Sequence, residues 1–226
     1  MDIHVLTPFY RDYLAPTLIH YLEPMGIIWH PIVTVEERWP TVAQAKGHKK
    51  QKYWIHPLVV PKLAPGMNAF KKINDFIEMR HIVDDDYYGF MCDDNMYSPN
   101  FFDVIRQQTA KILMFSMYRG DTVPDRKGEV PHHATTLRIA EPWDVRHGNI
   151  DIMQYIIKGE IFRKYRFDVY DHAYSDGHYA ERLKFQHPDD IQFLPNLYCF
   201  FNYFQPGRYT DPSKFLDPTW KMPKFV

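Results

Sequence analysis

Apolar residues in this chain gather in short blocks that alternate with stretches of helical spacing. Ile3 to Leu6 predicts a short buried strand, and Thr7-Pro8-Phe9-Tyr10-Arg11 predicts the turn that leaves it. Leu14, Leu18, Tyr21 and Leu22 then recur at helical spacing until Pro24 and Gly26 stop the pattern. Ile27 to Val35 predicts a second strand, ending on Glu36-Glu37-Arg38. Strand, helix and strand at this separation form a βαβ unit, which favours parallel pairing with a right-handed crossover.

The pattern loosens from Trp39 to Pro65, where a basic, proline-containing passage holds one apolar run, Trp54 to Val60. A helix is predicted over Met67 to Met79, with Phe70, Ile73, Phe76 and Ile77 inward and Lys71, Lys72 and Asn74 toward one edge. Asp84-Asp85-Asp86 reads as a solvated turn. Further strands are predicted at Tyr87 to Met91, Ile112 to Met117, Thr135 to Ile139, Ile150 to Ile157 and Ile191 to Phe201. Helices are predicted from about Pro99 to Gln108 and from His178 to Gln186. Tyr118 to His133 and Asp168 to Ser175 are expected loops, and Tyr203 to Val226 a surface-wrapping tail.

The most informative stretch is Tyr87-Tyr88-Gly89-Phe90-Met91-Cys92-Asp93-Asp94-Asn95, an apolar strand that stops on two carboxylates and an amide. In open α/β sheets, ligands bind beyond the carboxyl ends of the strands. Two acids placed there call for positive charge, which a hard divalent cation such as Mg²⁺ or Mn²⁺ supplies through oxygen ligands. Asp and Asn also end strands and cap helices routinely, so the same residues suit an acidic turn.

Composition narrows the classes. The 226 residues suit one domain with a proper core, and a formal net charge of −1 gives no electrostatic argument for nucleic acid. Lys49, Lys50 and Lys52 form the one local basic cluster, read as a solvated loop or an anion or headgroup contact. Cys92 and Cys199 fit reduced, buried thiols and a cytoplasmic setting, not a disulfide framework. The amino terminus has no signal-type apolar core, and no apolar run approaches bilayer length, so a cytoplasmic protein, at most peripheral to a membrane, is expected. The twelve histidines, including His132, His133, His172 and His178, fall at no tight ligand spacing. No Gly-x-Ser-x-Gly elbow, phosphate-binding Gly-rich loop or dinucleotide fingerprint is present.

Four features in order resemble the nucleotide-sugar half of a GT-A fold glycosyltransferase of the family-2 type. They are Thr7-Pro8-Phe9-Tyr10-Arg11, Glu36-Glu37, the helix introduced by Gly66-Met67-Asn68, and Cys92-Asp93-Asp94-Asn95. Asn149-Ile150-Asp151-Ile152-Met153-Gln154 is similar to the strand that faces donor sugar and acceptor in that family. Ser175-Asp176-Gly177-His178 is similar to the segment that carries the catalytic base of inverting members. The resemblance covers about residues 3 to 205. It departs from the family where Cys92 stands in place of the first acid of Asp-x-Asp, and a thiol is a poor ligand for Mg²⁺ or Mn²⁺.

The resemblance implies an α/β fold with a mostly parallel central sheet flanked by helices and a smaller acceptor-side sheet. One domain is expected over 1–226, with a nucleotide-sugar half to about 110, an acceptor half to about 205 and the tail beyond. It implies sugar transfer from a nucleotide-diphosphate donor, a UDP-sugar being favoured, to a hydroxyl of a glycan or other acceptor, with inversion and with Mn²⁺ or Mg²⁺. Thr7, Pro8, Tyr10, Arg11, Glu36, Lys72 and Asp93 are then expected at the donor nucleotide, Asp94, Asp93 and Asn95 at the metal, and Asp151 and Gln154 at donor sugar or acceptor. Asp176 is the expected general base, kept ionised by a helix amino terminus, although it and Ser175 equally suit a helix cap. Nucleotidyl transfer or diphosphate hydrolysis could use the same carboxylates without Asp176. A non-catalytic nucleotide-sugar-binding module with a degenerate acidic site is the third possibility.

Overall fold

The central sheet is assembled around β1 (Ile3–Pro8), which pairs in parallel with β2 (Ile28–Thr34); β2 in turn pairs in parallel with β3 (Leu58–Val60). On its other side β1 pairs in parallel with β4 (Tyr87–Phe90). These strands are buried on both faces, which is why they read as nearly unbroken apolar runs and not as alternations. The computed structural model describes residues 1–11, 14–34, 57–64, 67–98, 100–119, 135–171 and 174–201. Glu36, Glu37, the lysine cluster, most of the expected 118–133 loop and the tail beyond Phe201 lie outside the described residues.

The second half continues the same sheet in mixed sense, through β5 (Met96–Tyr97), β6 (Ile112–Arg119), β7 (Thr135–Leu137), β8 (Tyr155–Lys158) and β9 (Ile191–Phe201). Among the described residues the order is β3-β2-β1-β4-β8-β6-β9-β5, with β7 beside β6. β8 is antiparallel to both β4 and β6, whereas β9 runs parallel to β6. The β6–β9 register shifts between Phe115 and Met117, and beyond that irregularity the far ends of the two strands take up β7 and β5. That distal group is the smaller strand cluster of the second half.

Helices α1 (Ala15–Leu22), α2 (Phe70–Met79), α3 (Phe101–Arg106), α4 (Gly159–Phe162) and α5 (Ser175–Gln186) flank the sheet. After α1 a tight turn over Glu23–Met25 ends on Gly26 at φ 69°, a left-handed conformation that costs glycine nothing and lets the chain reverse into β2. Among the described residues no helix is long and apolar enough to cross a membrane. The aromatic richness goes largely into the core: Tyr87, Tyr88, Tyr97, Tyr155, Tyr179, Phe90 and Phe101 are all fully buried. Phe167 stacks on Tyr179 at 4.0 Å, and on Phe70 at 4.9 Å, joining α2 to α5.

The structure corrects several local readings. The helix predicted from Met67 starts at Phe70, because Asn68 forms a turn just ahead of it, its Oδ1 accepting from Phe70 N at 3.0 Å. Lys72 and Asn74 lie buried and not along an edge; Asn74 exchanges two hydrogen bonds with the Phe167 backbone, at 2.9 and 3.0 Å. Residues 150–154 are not strand but a capped turn over Ile152–Gln154. The helix predicted from His178 already begins at Ser175, and α4 and β5 arise where no element was expected. Asp86 is buried, accepting from the Asp2 N–H and lying 3.3 Å from the His4 ring.

Candidate functional site

Because β1 and β4 are parallel neighbours, their carboxyl ends open on the same side of the sheet, and the chain leaves each through a polar turn. The turn after β1 presents Pro8, Tyr10 and Arg11, and the turn after β4 presents Cys92, Asp93 and Asp94. They line one cleft of about 330 Å³, joined by Ala69 and Phe70 from the start of α2, by Asp151 and Ile152, and by Asp176 from α5.

Asp93 ties the two turns together. Its Oδ2 accepts from the backbone N–H groups of Tyr10 and Arg11, both at 2.8 Å, and its Oδ1 accepts from the Arg11 guanidinium. With 1 % of its surface exposed, this carboxylate fixes the shape of this wall of the cleft and is already engaged at both oxygens. The other end of the guanidinium lies 3.2 Å from Asp94 Oδ2, so one arginine bridges both acids. Cys92 sits beside them, and burial together with the charges of Asp151, Asp94 and Asp93 pushes its thiol well above the usual range. It is therefore a neutral, soft group among hard oxygens.

The facing wall carries the other two acids. Asp151 caps the Ile152–Gln154 turn through Met153 N at 3.0 Å, and Gln154 closes the box by accepting from Asp151 N at 2.9 Å. Asp176 Oδ2 accepts from Ile152 N at 3.2 Å and its Oδ1 from Gly177 N at 2.8 Å. Its carboxyl is nonetheless pushed up to about 7, first by burial and then by the neighbouring Asp151 charge, which together outweigh the N–H donors. The helix amino terminus expected to keep this acid ionised is overcome by its surroundings. The approach of α5 is set by Gly177, where a Cβ would lie 2.6 Å from His147 Cα. Gly177→Ala should force the helix off this turn at a cost of about 1–3 kcal/mol, read as a lower midpoint in urea unfolding.

Four expected site residues lie away from the cleft lining. Thr7 is fully buried and accepts from Trp29 Nε1 at 2.9 Å. Lys72 is likewise buried; its ammonium donates to Phe9 O at 2.9 Å and sits 3.5 Å from the centre of the Tyr10 ring, beneath the β1 turn. Gln154 donates to Phe115 O at 3.1 Å, and Asn95 directs its amide to Met153 Sδ at 2.7 Å, both without exposed surface. The sequence reading placed all four at ligand, where the structure places them in the frame around it. It missed Ala69, Phe70 and Ile152 as lining residues, since nothing in an apolar residue's identity marks it as facing a cleft.

No protein-family model matches the sequence, and no curated protein matches it. Solved structures do. TarS 1–349 from S. aureus, in complex with UDP, superposes with a TM-score of 0.58 at 12 % identity, over 88 % of this chain and 60 % of that one. The same protein in complex with UDP-GlcNAc gives 0.57 at 14 % identity, over 88 % and 58 %. A 4-diphosphocytidyl-2C-methyl-D-erythritol synthase gives 0.51 at 9 % identity, over 96 % and 98 %. The present chain thus spans about three-fifths of the TarS fragment. At these identities the likeness establishes the fold alone, an α/β sheet of GT-A type.

Proposed function

We propose that the protein transfers a sugar from a nucleotide-diphosphate donor to an acceptor hydroxyl, with inversion and with Asp176 as the general base. One observation supports this above the rest. The cleft at the strand ends sets Arg11 and Asp94 on one wall and, on the other, a carboxyl that titrates at about 7. A base is most effective when its pKa lies near the working pH, because it is then both ionised and able to hold the proton it takes.

In this reading the half-exposed Tyr10 ring stacks on the nucleotide base, held from beneath by Lys72. The Arg11 guanidinium meets the negative charge that develops on the departing diphosphate. Asp151 raises the basicity of Asp176 and orients the sugar hydroxyls. A hard divalent ion fits the oxygen donors of the cleft, with Asp94 its first holder. Among the described residues the cleft acids form no cage of three ligands within 4.8 Å, and a Mg²⁺- or Mn²⁺-type ion characteristically shares one or two carboxylates with substrate phosphates. When bound, that ion would neutralise leaving-group charge. Asp93 and Asn95, engaged elsewhere, would support it indirectly, and Cys92 would contribute no hard ligand. The TarS complexes with UDP and UDP-GlcNAc favour a uridine donor for this chain.

The test is a thermal-shift series with UDP, GDP, CMP and dTDP, each with and without Mn²⁺. UDP with Mn²⁺ at about a hundredfold over its Kd should raise Tm by roughly 5–10 °C, and Asp94→Ala should remove that rise. Absence of any nucleotide-dependent shift would sink the donor-site reading. A second reading, nucleotidyl transfer, is favoured by the near-complete mutual coverage with the erythritol synthase. Release of pyrophosphate in place of a nucleoside diphosphate, undiminished in Asp176→Asn, would establish it instead.

A further inference from the structure

At the α5 amino terminus, residues from two separate parts of the sequence converge. His178 and Glu181 are one turn apart on α5, and His147 comes from the turn at 146–149. One ligand atom from each lies within 4.8 Å of the other two, the one such group among the described residues. Asp171 stands beside them, its Oδ2 at 3.3 Å from His178 Nδ1. His147 Nδ1 is at the same distance from Glu181 Oε1.

These two separations are informative. A charge-assisted N–H···O⁻ contact settles near 2.7–2.9 Å. Four ligands held tetrahedrally at about 2.0–2.1 Å from a zinc-type ion stand roughly 3.3–3.4 Å apart. The two His–carboxylate separations match that edge length, although the His4–Asp86 ion pair is equally long. The positions are also held by the backbone: His147 N donates to Glu181 Oε1 at 3.0 Å, Tyr174 N to Asp171 Oδ1 at 3.0 Å, and Lys184 to Val145 O at 2.6 Å. Gly177 brings α5 into direct contact with the His147 backbone. Outer hydrogen bonds of this kind orient metal ligands. The side chains of His147, His178 and Glu181 are 57 %, 47 % and 33 % exposed, so an ion reaches them from solvent.

We propose that His147, His178 and Glu181 form a three-ligand site for a borderline-soft divalent cation of the Zn²⁺ class, separate from the donor cleft and with the fourth position open to water. Two imidazoles and a carboxylate suit Zn²⁺, whereas Mg²⁺ and Mn²⁺ prefer all-oxygen sets. A cation here staples the 146–149 turn, which leads into Asp151, to the helix that carries Asp176. It therefore fixes the spacing of the two acids on one wall of the cleft without touching substrate.

The test uses tag-free, chelator-stripped full-length protein titrated calorimetrically with ZnCl₂, with no nucleotide present. One Zn²⁺ per chain is expected. It should be lost in the His147→Ala/His178→Ala double variant, weakened 10–100-fold in Glu181→Gln, and unchanged in Asp94→Ala. Both alanines keep the Cβ, and both histidines are exposed, so the fold should survive. Co²⁺ added to the unsubstituted protein gives a reading that needs no variant: an intense visible spectrum of tetrahedral type is expected. The proposal is overturned by no saturable Zn²⁺ uptake, by uptake unchanged in the double variant, by equal competition from Mg²⁺, or by the weak spectrum of octahedral Co²⁺. None of these outcomes bears on the donor site, because nucleotide is absent throughout.

Discussion

Asp176→Asn is expected to lower kcat for sugar transfer by about 10²–10⁴-fold while leaving the nucleotide-dependent thermal shift in place. The amide keeps the shape of the carboxyl and one acceptor oxygen for Gly177 N, but it cannot take a proton from an acceptor hydroxyl. The wild-type pH profile gives an independent check. With the Asp176 carboxyl at about 7, kcat/KM should fall about tenfold per unit below that pH and level off above about 8. Stability moves the other way. A carboxyl raised from 3.8 to about 7 binds more protons in the folded than in the unfolded state. The fold therefore loses stability as pH rises between those values and none beyond them. The Asn variant should lack that slope, seen as a smaller difference in Tm between pH 5 and pH 8. A variant with full transfer activity would remove Asp176 from the mechanism.

Asp93→Ala is expected to cost about 2–4 kcal/mol of stability, a fall in Tm of roughly 5–15 °C. The carboxylate is buried and accepts from two backbone N–H groups and a guanidinium, so its removal leaves the Tyr10 and Arg11 amides without their partner. The Arg11 side chain is 36 % exposed and retains Asp94, so water relieves part of the loss. Asp94→Ala should by contrast melt within a few degrees of the wild type, yet lose the Mn²⁺-dependent response to UDP. Equal destabilisation by the two substitutions would contradict the division between a bracing and a binding acid.

The two halves of the chain differ in how openly they declare themselves. β1, α1, β2 and β4 were legible because a strand buried on both faces must be apolar throughout, and α1 must repeat every three to four residues. β5, only Met96–Tyr97, and α4, only Gly159–Phe162, are too short to show a period. Residues 150–154 look strand-like from their apolar content, but Asp151 and Gln154 cap one another and close a turn instead.

By itself the sequence determined that acids end β4, that a polar turn ends β1, and that an acid opens the segment at Asp176, since these are facts of local order. Tertiary structure alone decided what each acid does. Asp93 braces because the Tyr10 and Arg11 amides come to it from more than eighty residues away. Asp176 titrates near neutrality because folding removes it from water and sets it beside Asp151. His147 meets His178 and Glu181 because Gly177 lets two backbones touch. Desolvation, charge and ligand geometry depend on distance in space, and separation along the chain carries little trace of them.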